Sequence, residues 1–330
     1  QASLTDSQAR FYSRYLPVEV PAFNPAIADW LQASAASGAV PHAVFSFDGG
    51  LLAGQQRAID LYVALQDGSL LFQPGWPRLE QVDARLWLSD GRVMIEQGSA
   101  SLWQSRLDEI VVHSRKPAQQ TTHLDISARI SGPLEDGLRL LQDSPLRDLT
   151  ADPLAGWQAS GQLQGELQLG IPLQAGVAAD VDVSWQVSDS QLRLPGLDLP
   201  IAALSGDFSY QSASGLQADG LQARVLGAGV RGEINSAAGY PVIRLRGRHA
   251  VEQLQRWSLL SSLPAGLFAG DIDWQAGIEL LAGEQRVTLS SRLQDLRILL
   301  PSPLNKSAGD EWPAELQLSL QPDRQRWRLR

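Results

Sequence analysis

The run Leu61-Tyr-Val-Ala-Leu-Gln-Asp67-Gly-Ser-Leu-Leu-Phe-Gln-Pro74 decides the fold. Before Asp67 its apolar side chains stand at odd positions, Leu61, Val63 and Leu65; after it they stand at even ones, Leu70 and Phe72. Side chains alternate with a period of two along a strand, so an unbroken strand would turn the second half to the opposite face. A two-residue hairpin or a β-bulge at the Asp restores one continuous apolar face. Asp67-Gly68 suits a hairpin, which would pair Leu65 with Leu70 and Val63 with Phe72. The template returns from Val183 to Pro195 around Asp189, and from Leu289 to Pro301 around Asp295. Asp295-Leu296 suits a hairpin less well, and a bulge is the alternative there. The chain repeats a unit that is oily on one side and polar on the other.

The alternation continues outside the template. Leu163, Leu167 and Leu169 oppose Gln162, Gln164, Glu166 and Gln168; Val181, Val183, Trp185 and Val187 oppose Asp182, Ser184 and Gln186; Leu316, Leu318 and Leu320 oppose Glu315, Gln317 and Ser319. Such segments belong to a sheet with one wet face, and the doubly apolar runs of a parallel α/β core are missing. The expected fold is mainly β: an elongated, curled, largely antiparallel sheet built from repeats that form an apolar groove, with a few short α-helices. Helix signals concentrate in residues 1–50, where Asp6-Ser7 can cap a helix to about Tyr15 and Asn24-Pro25 can start another ending near Gly38. Further helices are expected from Gly132-Pro133 to about Gln142 and from Val251 to about Leu260. The organisation read from this is an N-terminal helical segment, 1–50, leading into one continuous array over 51–330, with approximate repeats at 59–150, 160–260 and 268–330.

Composition narrows the function. Of the 330 residues, 44% are hydrophobic and 19% charged, and the formal net charge is −9, which argues against a nucleic-acid partner. The absence of cysteine rules out disulfides and thiolate metal sites. No run of about 18 apolar residues occurs, so no membrane-crossing helix is expected. The chain opens on Gln and closes on the strand-like Asp323-Arg-Gln-Arg-Trp-Arg-Leu-Arg330, and it reads as an internal fragment of a longer protein.

Catalytic signals are poor. His42, His113, His123 and His249 have no ligand partners at metal spacing beyond His123 and Asp125 on one strand face. No Gly-x-Ser-x-Gly elbow is present, and Asp48-Gly49-Gly50 lacks the lysine and helix of a phosphate loop. A carbohydrate-active enzyme would need a carboxylate pair, and acids such as Glu233 and Glu279 do not stand out from solvated strand faces. No catalytic residue, metal or cofactor is expected.

A one-sided sheet must cover its apolar face. A second sheet would make a structural or adhesive β-sandwich with a closed core. The alternative is a curled sheet whose open face takes an apolar ligand, each buried methylene contributing roughly 0.8 kcal/mol. The candidate groove residues are Leu61, Val63, Leu65, Leu86, Leu88, Leu163, Leu167, Leu169, Val181, Val183, Trp185, Val187, Leu289, Leu293, Leu316, Leu318 and Leu320. Arg244, Arg246 and Arg248 alternate with Ile243 and Leu245; they are candidate contacts for anionic headgroups, or else a solvated outer face.

Several short motifs carry a family resemblance. Tyr15-Leu16-Pro17, Trp30-Leu31 with Gly38, Pro74-Gly-Trp-Pro77 with Leu79, and Leu300-Pro-Ser-Pro-Leu-Asn-Lys306 resemble the YhdP-type proteins of the AsmA-like group across the whole chain. The resemblance implies a bridge-like lipid transfer protein of the Gram-negative envelope. It implies a periplasmic β-groove that carries phospholipid between inner and outer membranes, an inner-membrane anchor outside this chain, and no catalytic residues. The phospholipid is then the partner, bound by a monomer.

Overall fold

The computed structural model describes residues 1–11, 35–49, 57–71, 75–89, 92–115, 123–144, 156–172, 177–194, 199–237, 240–258, 260–261, 264, 266–281, 284–321 and 324–329. They fold mainly as β-strand, in two units: Gln1–Gly132 with Gln164–Ser184, and Pro133–Leu163 with Trp185–Arg330.

The first unit contains β1 (Ala2–Gln8), β2 (Ala35–Gly49), β3 (Arg57–Leu70), β4 (Leu79–Ser89), β5 (Arg92–Leu102), β6 (Ser105–Arg115) and β7 (His123–Pro133). Each strand pairs antiparallel with the next in sequence. The strands β8 (Gln158–Pro172) and β9 (Asp180–Leu194) are divided, their 164–184 stretch belonging to this unit and their outer ends to the second.

The parity switch at Asp67 is a bulge, not a hairpin. β3 runs unbroken through it, Leu65 pairs with Ala84 and Val63 with Leu86, and the register slips between Leu65 and Gly68. Asp67 takes the left-handed φ of 49°, and its N–H donates to Asp83 Oδ1 of β4 at 3.0 Å. The extra residue moves Gly68 and Leu70 onto the face of Leu61, Val63 and Leu65. Register also slips along β2 and β4 to β6, while β1 keeps its register through Asp6. Asp6, Gly38, Asp67, Gln81, Gln97 and Glu109 give each of β1 to β6 a positive-φ residue in its interior. β-bulges bend strands and increase local twist, so a bulge in strand after strand curls the sheet. A Cβ on Gly38 would lie 2.8 Å from Gly68 Cα, so two backbones meet at this bend.

The second unit holds β10 (Leu199–Gln211), β11 (Gly215–Val225), β12 (Ala228–Ala237), β13 (Tyr240–Ala250), β14 (Phe268–Leu281), β15 (Glu284–Ser291), β16 (Leu296–Ile298), β17 (Ala314–Gln321) and β18 (Arg324–Leu329). Antiparallel pairing again follows chain order, with β15 and β16 sharing β14 as partner. Asp189 and Ala203, at φ 45° and 51°, repeat Asp67 and Gln81. The Asp189 N–H donates to Ser205 Oγ at 3.1 Å, as Asp67 does to Asp83. Asp295 belongs to neither hairpin nor simple bulge. The chain leaves the sheet at Arg292–Asp295 and returns as β16, so that residues 291–295 lie against residues 271–274 of β14. One residue is again in excess, and Leu296 and Ile298 rejoin the apolar face.

The loop after β16 is tied down by Lys306, only 3% exposed, whose Nζ donates to the carbonyls of Leu296 (2.8 Å), Ser307 (3.1 Å) and Gln294 (3.4 Å). Those three bonds satisfy all the ammonium donors without a carboxylate.

Helix α1 (Leu134–Asp143) forms where expected, with Leu134, Leu138 and Leu141 at helical spacing and Glu135 and Asp136 in its first turn. A Cβ on Gly137 would sit 2.8 Å from Leu163 Cδ2, so α1 lies on β8 at that leucine. Helix α2 (Val251–Leu254) is shorter than expected; tight turns follow it, with Arg256 N–H donating to Gln253 O and Leu260 N–H to Trp257 O. The helix expected from Asp6 is not there: Ala2–Gln8 is strand and only Ala9–Phe11 is a 3-10 turn. Pairing along β2 outweighs local capping, because an isolated helix of that length is marginal. Residues 35–38, expected to end a second helix, are strand in β2; the rest of that helix, Tyr15-Leu16-Pro17, Trp30-Leu31, Phe72 and Pro74 lie outside the described residues.

Candidate functional site

Register turns the alternation into rows. In the first unit, Leu4, Ala43, Val63, Leu86, Ile95, Val112 and Ile126 stand directly opposite one another, one from each strand β1 to β7. A second row, Ala2, Phe45, Leu61, Leu88 and Val93, runs beside it, two residues along each strand and hence about 6.7 Å away. Its members from Leu61 onward are buried, whereas Val63, Leu86, Ile95 and Ile126 stop at half-buried.

The second unit repeats the construction. Phe208, Ala218, Ile234, Ile243, Ile278, Val287, Leu318 and Trp327 form one row across eight strands, β10 to β15 with β17 and β18. At about 4.8 Å between strands the row measures about 34 Å along the sheet. Leu221, Gly232, Leu245, Ala276, Leu289, Leu316 and Leu329 form the next. Trp185 of β9 stacks on Phe208 with ring centres 5.4 Å apart and planes 8° from parallel. Phe208 and Ile243 pack on the small cluster of Ala218, Leu221 and Ile234. Phe208, Ile243, Ile278 and Val287 stay half-buried and Trp327 is 48% exposed. A dry sandwich core closes over such positions; here they keep apolar surface available.

Trp274 stands on this face two residues from Ala276 along β14. A Cβ on Gly247 would be 2.8 Å from its ring, so the indole lies against that glycine. Its Nε1–H donates to His249 Nδ1 at 2.8 Å, while His249 Nε2 lies 2.7 Å from the Val225 carbonyl. The pair of contacts selects the Nε2–H tautomer for this buried imidazole.

The expected groove residues divide as follows. Leu61, Val63, Leu65, Leu86 and Leu88 share the first unit's face, and Leu289, Leu316 and Leu318 join the rows of the second. Leu320 pairs with Gln285 on β15. Val181, Val183 and Val187 alternate with exposed residues along β9, and Leu167 and Leu169 do so along β8. Leu163 is covered by α1. Leu293 sits in the Arg292–Asp295 excursion at φ 49°, off the rows. Ile95, Val112, Ile126, Phe208, Ile243, Ile278 and Val287 were not singled out by sequence reasoning. Their alternation is visible, but which residues of different strands meet is not.

The polar face carries ion pairs. Arg244 Nη1 lies 3.2 Å from Glu233 Oε1, and Arg248 reaches Asp271, Asp273 and Asp295 at 3.0, 2.8 and 2.8 Å. Arg286 holds Glu279 at 3.0 Å, so neither Glu233 nor Glu279 is a free acid. Arg115 Nε donates to Asp125 Oδ2 at 2.8 Å. That bond holds the Asp125 carboxyl below its ordinary pKa, against the opposing effect of desolvation. His113 stands opposite Asp125 and His123 opposite Arg115, so the carboxylate serves a guanidinium. Among the described residues no three potential metal ligands come together, and no helix is long and apolar enough to cross a membrane.

Antiparallel strands bulged onto a common bend, with rows of half-covered aliphatic side chains on one face and ion pairs on the other, define a β-sheet protein that presents an apolar track. The family model described as "YhdP protein" matches residues 1–330, and the chain belongs to that family. It is 27% identical over 264 residues to a protein of Escherichia coli (strain K12) described as "Intermembrane phospholipid transporter YhdP", the match covering 76% of this chain and 20% of the relative. The chain thus spans about a fifth of that relative's length. No solved structure matches.

Proposed function

We propose that this chain is a section of a periplasmic, bridge-like phospholipid carrier that works without catalysis, its apolar rows holding acyl chains between the inner and outer membranes. The single observation behind this is the directly opposed aliphatic row of each unit, half-buried over much of its length. An acyl chain needs apolar contact without directional bonds, so it can shift along such a row at little cost. Each methylene removed from water contributes roughly 0.8 kcal/mol. Family membership and the printed description of the E. coli relative support the reading. Attachment to the inner membrane through another part of the protein, and a monomeric state, complete the proposal.

The test is extraction. The chain is purified without detergent from Gram-negative cells, extracted with organic solvent and analysed by mass spectrometry. Phospholipid near or above one equivalent is expected. A folded, lipid-free chain that also fails to take up a fluorescent phospholipid overturns the proposal.

A further inference from the structure

Four arginines on the polar face of β12 and β13 are treated differently by the fold. Arg244 and Arg248 are each matched by carboxylates. Arg231 and Arg246 stand directly opposite each other, flanked in register by Gln222 and Gln275 rather than by acids. Like charges facing across an antiparallel pair are destabilising. Arg224, on β11, follows Gln222 two residues along the same exposed face. Among the described residues none of these three cations has an ion-pair or hydrogen-bond partner. All three border a depression of about 1330 Å³ together with Gln275 and Trp274. The acids on its wall are engaged: Asp273 by Arg248 at 2.8 Å, and Glu315 by Gln317 Nε2 at 2.9 Å. Arg292, also on the wall, lies 3.6 Å from Glu311.

We propose that Arg231 and Arg246, with Arg224 beside them, form an oxyanion site for a phosphate ester. A phosphate group placed between two opposed guanidiniums accepts charge-assisted hydrogen bonds from both and removes their repulsion. The amides of Gln222 and Gln275 add neutral donors at either end. The chemistry is shared by a phospholipid headgroup and by free phosphate, and the site does not depend on acyl chains lying along the apolar rows.

The experiment measures thermal stability and ³¹P line broadening of the chain in phosphate-free, low-salt buffer. The probes are inorganic phosphate, monomeric dihexanoylphosphatidylglycerol, and dihexanoylglycerol as the phosphate-free analogue. The proteins are wild type, Arg231→Gln, Arg246→Gln, the double variant, and Arg244→Gln. At least one phosphate-bearing probe is expected to bind wild type and to lose tenfold or more in affinity in the double variant. Arg244→Gln should change less than threefold. Without ligand, Arg246→Gln should melt no lower than wild type, since a like-charge contact has gone. Binding of inorganic phosphate alone identifies free phosphate as the ligand; binding of the phospholipid alone identifies a headgroup. Equal binding to wild type and double variant, or no binding of either phosphate probe, overturns the site. Should the carrier reading fail instead, dihexanoylglycerol and the apolar part of phospholipid binding would be lost while phosphate still bound.

Discussion

Val287 and Thr288 offer a direct test of the two-faced sheet. They are adjacent on β15, both β-branched and both half-buried. Val287 faces Ile278 and Leu318 in the long apolar row; Thr288 faces Gly277 and Gln317 on the other side. Val287→Glu removes the valine contacts and sets a carboxylate in the row. Half the transfer energy of a valine is about 1 kcal/mol. A chain passing this point would lose contact with two or three methylenes, about 2 kcal/mol at roughly 0.8 each. That is about 30-fold in affinity. Thr288→Glu changes charge one residue away without touching the row and should alter lipid affinity less than threefold. The assay is binding of a fluorescent phospholipid, with a thermal melt of each variant as a check on folding. Val287→Thr, isosteric and β-branched, supplies an intermediate that folds, with a loss of several-fold expected. Equal losses in Val287→Glu and Thr288→Glu, or wild-type binding by Val287→Glu and Val287→Thr alike, would refute the assignment of faces.

Other expectations concern the bends and the polar face. Gly38→Ala should destabilise by about 3 kcal/mol in urea unfolding, because φ is 136° and the new Cβ would lie 2.7 Å from Leu65 Cδ1 and 2.8 Å from Gly68 Cα. Gly229→Ala, with nothing within 4 Å of the new Cβ, should be close to neutral, and equal effects would discount the bend. Asp83→Ala and Ser205→Ala each remove the side chain that accepts a bulge N–H, so each should cost about 1 kcal/mol and the two should agree within about 0.5; one large and one absent would break the repeat equivalence. The depressed pKa of Asp125 makes its pair with Arg115 a contribution present above the ordinary carboxylate pKa and lost as pH falls through the lowered one. Arg115→Gln should therefore move the Asp125 carboxyl resonance to titrate at higher pH, and the stabilities of variant and wild type should converge in acid; an unchanged titration would show that the pair does not form.

What could be read from residues alone is whatever depends on side-chain period. Leu61, Val63 and Leu65 against Tyr62 and Ala64, with the switch at Asp67, specify a strand, a face and an interruption at Asp67, because a period of two keeps the oil together only through a hairpin or a bulge there. Helix α1 was equally local: Gly132-Pro133 ahead of its start and leucines at helical spacing. Bulge or hairpin at Asp67 was not local, since the choice rests on Asp83 of the next strand taking the freed N–H. The strand at Ala2–Gln8 likewise depends on β2, which supplies the backbone partners that a cap at Asp6 could only partly replace. Register, set by pairing between strands, decided that Ile243 meets Ile278 and that Arg231 meets Arg246. It also decided that Arg244 and Arg248 are neutralised while the arginine between them is not. The apolar character of the track is thus a property of each strand, and its continuity is a property of the sheet, because hydrogen bonding between strands lines the side chains up.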